Sequence, residues 1–178
     1  MPRSMLKERP YKAGMPFDQE KHDIFLQNRS YSFAMEKAAA FLASRARTEK
    51  ELVDALRKNA YPESAIARVM AYLTEAGYIN DAEFAQQWTA ARAGKGLGRQ
   101  RIRTELRQKG VCQDEIDEAI GELDEETLLL GAVKAAEKAA KGKDLSSPAG
   151  RQKVLAALAR RGYDYALAKE ALEQVCSK

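Results

Sequence analysis

The chain is poor in the residues on which most enzymatic and metal chemistry depends. Its 178 residues include one histidine (His22), two cysteines and one tryptophan. A lone histidine near the start offers neither a base paired with a nucleophile nor a His-rich metal site. Cys112 and Cys176 form no C-x-x-C pair and have no histidine near them in sequence. They read as small packing residues, and so few cysteines suit a reducing cytoplasm better than a secreted disulfide scaffold. No apolar run approaches the roughly 20 residues that span a bilayer, and the opening MPRSMLKERPYK lacks an apolar signal core. A soluble intracellular chain is the expectation.

No segment alternates with period two over a strand's length, so the expected class is all-α. The phosphate-loop pattern G-x-x-x-x-G-K-[ST] is absent. Its nearest lookalike, Gly94-Lys95-Gly96-Leu97-Gly98, follows a helical pattern rather than a strand and reads as a flexible turn. Carboxylates from Asp114 to Glu126 lack calcium-loop spacing and read as a solvated face. These absences leave no catalytic residue, no cofactor and no metal site to name.

What is present is periodic. The chain is 45% hydrophobic and 31% charged, with a formal charge of +4 and a pI near 9.0 that lean toward an anionic partner. The ladder Leu52, Leu56, Tyr61, Ile66, Met70, Leu73 lies without a gap over Ile102, Leu106, Val111, Ile116, Ile120, Leu123. Val154, Leu158, Tyr163, Ala168, Leu172 and Val175 repeat the spacing again. Three matching ladders mean an internal repeat of about 50 residues and three helices. Each unit has a thin core, so the expectation is three stacked repeats in an elongated, curved array. The boundaries read as a mobile extension over 1–33, then repeats over 34–79, 80–124 and 125–178. Three of the five prolines fall in that extension, where residues 17–28 could form a short docking helix.

Capping signals punctuate the repeats. Thr48-x-x-Glu51 marks a capping box, Pro62 the first turn of a helix, Asn80 or Asp81 a cap, Ser147-Pro148 a cap and first turn, and Asp164 a final cap. Gly77, Gly110 and Gly162 mark helix stops. Asn59-Ala60-Tyr61 stands where the other repeats use glycine, so that stop is expected to differ. Trp88, four residues after Phe84 on an apolar face, reads as core in preference to a base-stacking platform.

The charge distribution carries the functional signal. Arg92, Lys95, Arg99, Arg101, Arg103, Arg107 and Lys109 face only Glu105 in their own stretch. Arg99, Arg103 and Arg107 recur every four residues as one helical stripe. Lys153, Arg160 and Arg161 occupy the corresponding helix of the third repeat. An ordinary solvent face with i,i+4 pairs is the competing reading. A basic stripe with so little acid of its own fits an anion-binding surface that does not read sequence.

The middle repeat, Asn80-Asp81-x-x-Phe84-Ala85, Trp88, Arg92 and Gly98-x-x-Arg101-Ile102-x-x-Glu105-Leu106-x-x-Lys109-Gly110-Val111, resembles the signature of the RecX family. The resemblance spans roughly residues 34 to 176, with Arg45…Thr48-x-x-Glu51-Leu52 in the first repeat and Leu158-Ala159-Arg160-Arg161-Gly162-Tyr163 in the third. It implies a non-enzymatic regulator of the recombinase RecA. Such proteins bind the RecA filament on single-stranded DNA and inhibit ATP hydrolysis, recombination and co-protease activity, and some bind DNA directly. The expected contacts are Arg99, Arg103, Arg107, Arg160 and Arg161, flanked by the other basic residues named above, on a chain acting as a monomer. A general DNA-binding repeat protein, or a scaffold for an unrelated acidic protein, are the competing functions.

Overall fold

The computed structural model describes residues 16–177. Among them there are nine helices and no strand: α1 (Gln19–Ser44), α2 (Glu49–Lys58), α3 (Glu63–Glu75), α4 (Asp81–Gly94), α5 (Arg99–Lys109), α6 (Gln113–Gly121), α7 (Glu125–Ala140), α8 (Pro148–Arg160) and α9 (Tyr165–Cys176). They group as three tandem three-helix repeats. The chain forms two compact units, one ending at Asp81 and the other beginning at Ala82.

In the first unit, α1 packs on α2 and α3. Asp18 opens α1 by accepting from the Lys21 N–H at 3.1 Å, and the helix then runs unbroken to Ser44. It passes through position 33, so residues 19–33 are continuous helix rather than a mobile extension with a short docking helix over 17–28. Residues 1–15 of that extension lie outside the described residues. The physical reason is a face of small side chains. Ser30, Ala34 and Ala38 recur every four residues, are buried, and let α1 approach α3 closely. Arg68 of α3 lies over the Tyr31 ring at 4.5 Å, and Arg29 lies 4.9 Å from the Phe33 centroid.

Leu52 and Leu56 of α2 are fully buried with Ile66, Val69, Met70 and Leu73 of α3. Burial of each leucine contributes about 1.5–3 kcal/mol. Thr48, itself buried, accepts from the Glu51 N–H at 3.2 Å and fixes the start of α2. Pro62 stands just before α3 rather than inside its first turn. Asp81, the first residue of α4, turns its carboxylate back to accept from the Glu49 N–H at 2.9 Å.

The second unit holds two cores. One joins Phe84, Ala85, Ile102, Leu106, Ile116 and Ile120, with Trp88 packed at its edge, so the tryptophan is core as expected. The other joins α7, α8 and α9 through Ala132, Ala136, Val154, Leu158, Ala171 and Leu172. Ser147 and Asp164 cap α8 and α9 by accepting from Gly150 N–H and Leu167 N–H.

The turn between second and third helices has one geometry in all three repeats. Gly110 and Gly162 adopt φ of 89° and 87°, and Ala60 takes the same left-handed conformation at 59°. Each is followed by a residue whose N–H returns to the helix: Tyr61 to Leu56, Val111 to Leu106, Tyr163 to Leu158. The first repeat therefore stops as the others do, with an alanine accepting the strain that glycine avoids.

The glycine-containing turn before α5 is a docking element rather than a flexible spacer. The Gly98 N–H donates to Arg161 O at 2.9 Å and the Gln100 N–H to Gly162 O at 3.0 Å. A methyl group on Gly98 would fall 2.4 Å from Gly162 O, and one on Gly162 would fall 2.2 Å from Arg101 N. Backbone meets backbone here, and only glycine permits it.

Candidate functional site

The basic residues of the second repeat are held by α5 and the two segments that flank it. α5 buries Ile102 and Leu106, so positions 99, 103 and 107 fall together beside the buried stripe. Sequence alone suggests that only Glu105 opposes them. In the structure the acidic run reaches back across α5. Arg99 Nη2 lies 2.8 Å from Glu125 Oε1 and donates to Leu123 O at 3.3 Å. Arg103 Nη2 lies 3.0 Å from Asp117 Oδ1, and Arg107 donates twice to Gln113 Oε1. Side-chain hydrogen bonds from Gln113 and then Arg103 hold the Asp117 carboxyl below its ordinary value.

This corrects the expectation that the acids from 114 to 126 form only a solvated face. Asp117 and Glu125 pair with Arg103 and Arg99 of the stripe, Asp124 caps α7 by accepting from Thr127 N–H at 2.8 Å, and Glu115 accepts from Cys112 N–H. The abrupt switch from basic to acidic sequence is the trace of α5 pairing with α6 and with the start of α7.

Glu105 is the hub of a second cluster. It lies 2.7 Å from Arg92 Nε and 3.3 Å from Arg101 Nε, and accepts from the Trp88 indole N–H at 3.2 Å. Arg92 lies over the Trp88 ring at 4.1 Å, and Lys109 Nζ lies over the same ring at 4.2 Å. Trp88 also stacks on Phe84, with centroids 5.6 Å apart. Arg92 and Lys109 thus cover an aromatic core, which is a structural role.

The third-repeat residues divide. Arg161 donates from Nη1 to Gly96 O at 3.2 Å, a bond from the third repeat to the second. Lys153 and Arg160 sit exposed on α8, and among the described residues neither forms an ion pair; the same holds for Lys95. The structure therefore joins Arg99, Arg103 and Arg107 into one paired stripe and Arg92, Arg101 and Lys109 into one cluster. It leaves Lys95, Lys153 and Arg160 as uncommitted charge.

Two lysines escape the sequence reading. Lys134 and Lys138 on α7 join Lys95 and Arg161 around a cleft of about 400 Å³. Their i,i+4 spacing on an alanine-rich helix was a usable signal. Among the described residues no group of three or more His, Cys, Asp or Glu side chains could hold a metal ion, and no helix is long and apolar enough to cross a membrane.

Three family models match in chain order. These are the RecX first three-helix domain over residues 34–73, the second over 80–120, and the third over 131–172. The chain belongs to the RecX family. A relative named regulatory protein RecX from Streptomyces lividans is 39% identical over 132 residues, covering 72% of this chain and 69% of that one. Another of the same name, from Amycolatopsis mediterranei, is 34% identical over 146 residues and covers 81% and 83%. A crystal structure of regulatory protein RecX matches 96% of this chain and 85% of its own, with TM-score 0.79 at 22% identity. RecX from Lactobacillus salivarius matches 84% and 98%, with TM-score 0.75 at 21% identity. Both share the RecX fold.

Proposed function

We propose that this chain is a non-enzymatic regulator that binds the RecA filament on single-stranded DNA. There it inhibits ATP hydrolysis, strand exchange and co-protease activity, damping recombination and the SOS response in the cytoplasm. The observation that carries this reading is the ordered match of all three RecX domains, joined to 39% identity with a protein named as a regulator. The repeats at 34–79, 80–124 and 125–178 are the working units, and the chain acts as a monomer.

The contact surface follows from which cations are available. Lys153 and Arg160 stand exposed and unpaired on α8, and Lys95 on the α4–α5 turn. Arg99, Arg103 and Arg107 contribute by exchanging Glu125, Asp117 and Gln113 for acidic or phosphate groups of the filament. Reversing Arg99 or Arg103 would set glutamate against these carboxylates and disturb the fold, so the test uses Lys153→Glu/Arg160→Glu. RecA ATPase activity on single-stranded DNA is titrated with the native chain and this variant, both verified as folded by circular dichroism. Substoichiometric inhibition that the variant loses supports the reading. If hydrolysis is unaffected at saturating protein while bare DNA is bound with steep salt dependence, the chain is instead a general DNA-binding repeat protein.

A further inference from the structure

The cleft between the α4–α5 turn and α7 shares Lys95 with the filament reading and is otherwise separate from it, and positive charge converges there without compensation. Its lining includes Lys95, Lys134, Lys138 and Arg161 and no carboxylate; the rest is Thr127, Leu130 and small residues. Lys134 and Lys138 stand one turn apart on the same face of α7, and among the described residues neither they nor Lys95 form an ion pair. Like charges at this spacing repel one another along the helix face. A multivalent anion between them would turn that repulsion into attraction.

The surroundings give the site its form. Arg161 is fixed by its bond to Gly96 O, which holds the guanidinium against the turn. The turn's own N–H groups are engaged internally, Lys95 N–H and Leu97 N–H with Arg92 O and Gly96 N–H with Ala93 O. Recognition here therefore falls to side-chain cations rather than to a backbone cradle of the P-loop kind. Tyr163 Oη is buried without a hydrogen-bond partner, and it sits against both walls of the cleft. A methyl on Gly131 would lie 2.9 Å from it and one on Gly96 3.8 Å. Burial raises its pKa above the ordinary tyrosine value, so it stays a neutral hydroxyl with a proton to donate. Leu130, half-exposed at the rim, offers an apolar surface beside the charge.

We propose that this cleft binds an oligophosphate of nucleotide size, its phosphates held by Lys95, Lys134, Lys138 and Arg161. The volume lies within the range of small-ligand sites, about 300–1,000 Å³. A terminal phosphate brings about −1.5 to −2 charges near neutral pH, so two or three linked phosphates balance the four cations. Lysines act as point charges on such a chain, and Arg161 adds a planar donor pair.

The test uses the full chain alone, without RecA, so its outcome is independent of the filament reading. Sodium tripolyphosphate, ATP and a short oligothymidylate lacking a terminal phosphate are titrated calorimetrically into the native chain and into Lys134→Glu/Lys138→Glu. A control, Lys50→Glu/Lys58→Glu, makes the same charge change on exposed positions of α2. The expected result is saturable one-to-one binding of ATP and tripolyphosphate that weakens about tenfold or more in the α7 variant and is kept by the control. Equal affinity for the two ligands assigns recognition to the phosphate chain, and tighter ATP binding adds the nucleoside end. If thermal melts show the double variant to be unfolded, Lys95→Glu on the exposed turn takes its place with the same expectation. Absence of binding, binding equally weakened by the control, or binding of the oligothymidylate alone would each overturn the proposal.

Discussion

Replacing Gly98 with alanine isolates the junction between the second and third repeats. Gly98 has φ of −84°, which alanine adopts without strain, so the substitution carries no left-handed penalty. The added methyl would fall 2.4 Å from Gly162 O and 2.5 Å from Tyr163 N, both backbone atoms that cannot swing aside. The chains must separate, and the bonds from Gly98 N–H to Arg161 O and from Gln100 N–H to Gly162 O lengthen or break. Two such bonds contribute about 0.5–1.5 kcal/mol each. Forcing a methyl into a packed contact costs about 1–3 kcal/mol more. Against these, alanine reduces the freedom of the unfolded chain and returns about 0.4–1 kcal/mol. The net expectation is a loss of about 3 kcal/mol, which for a chain of this size lowers Tm by on the order of 10 °C.

Gly94→Ala supplies the comparison. It lies four residues away, at the end of α4, and a methyl there meets nothing within 4 Å. That variant should gain up to about 1 kcal/mol from helix propensity. Urea denaturation of both, with hydrogen exchange at the Gln100 amide, separates the cases. If Gly98→Ala were as stable as Gly94→Ala and kept Gln100 protected, the argument that this junction requires glycine would be refuted.

Three further outcomes follow from local geometry. Ala60→Gly relieves an alanine at φ 59°, worth about 1–2 kcal/mol, less about 0.4–1 kcal/mol of unfolded-state entropy, so denaturation should show stabilisation near 0.5–1 kcal/mol. Glu105→Ala removes the carboxylate that accepts from Trp88 and Arg101 and forms the ion pair with Arg92, and should destabilise by about 1.5–3 kcal/mol. Trp88 is the only tryptophan, so its emission should shift at the same time. Asp117 has a folded pKa lowered beneath 3.8 by Gln113 and Arg103. Its contribution is therefore present above that pH and lost as pH falls through the depressed value. Asp117→Asn should flatten the fall of the urea midpoint below about pH 4 relative to the native chain.

The all-α class and the three repeats were legible because they are written in large side chains. Leu52, Leu56, Ile102, Leu106, Val154 and Leu158 all prove buried, at one spacing repeated three times. α1 was harder to read beyond its C-terminal half, because Ser30, Ala34 and Ala38 make its packing face and carry little hydrophobic signal. Conformation also hid behind residue type. Ala60 adopts the left-handed turn of Gly110 and Gly162, although the preference of an alanine argues otherwise. Gly98 looked like flexibility, when its missing side chain serves a close approach to Gly162. The site was partly legible: the cations were identifiable, but their partners come from residues 14 to 26 positions onward, and only the fold shows that Asp117 and Glu125 return to α5.

Those pairings set an order on how the basic surface can engage an anion. An arginine whose carboxylate partner reaches solvent gives up only a small, screened interaction when it changes partners. Arg99 and Arg103 are of this kind, since Glu125 and Asp117 are 74% and 51% exposed in their side chains. Arg92 is not, because Glu105 is only 16% exposed and also serves Trp88, so removing Arg92 from that cluster strands a partly buried acid. Lys153, Arg160 and Lys95 hold no ion pair among the described residues, so engaging them would break none. A docking anion should therefore meet α8 and the α4–α5 turn first, draw in the α5 stripe at modest cost, and leave the Trp88 cluster intact. In substitution experiments the same order separates two kinds of loss. On the proposed function, reversal at 153 and 160 is expected to weaken binding in a folded protein, and reversal at 92 to lower stability before it reports on binding at all.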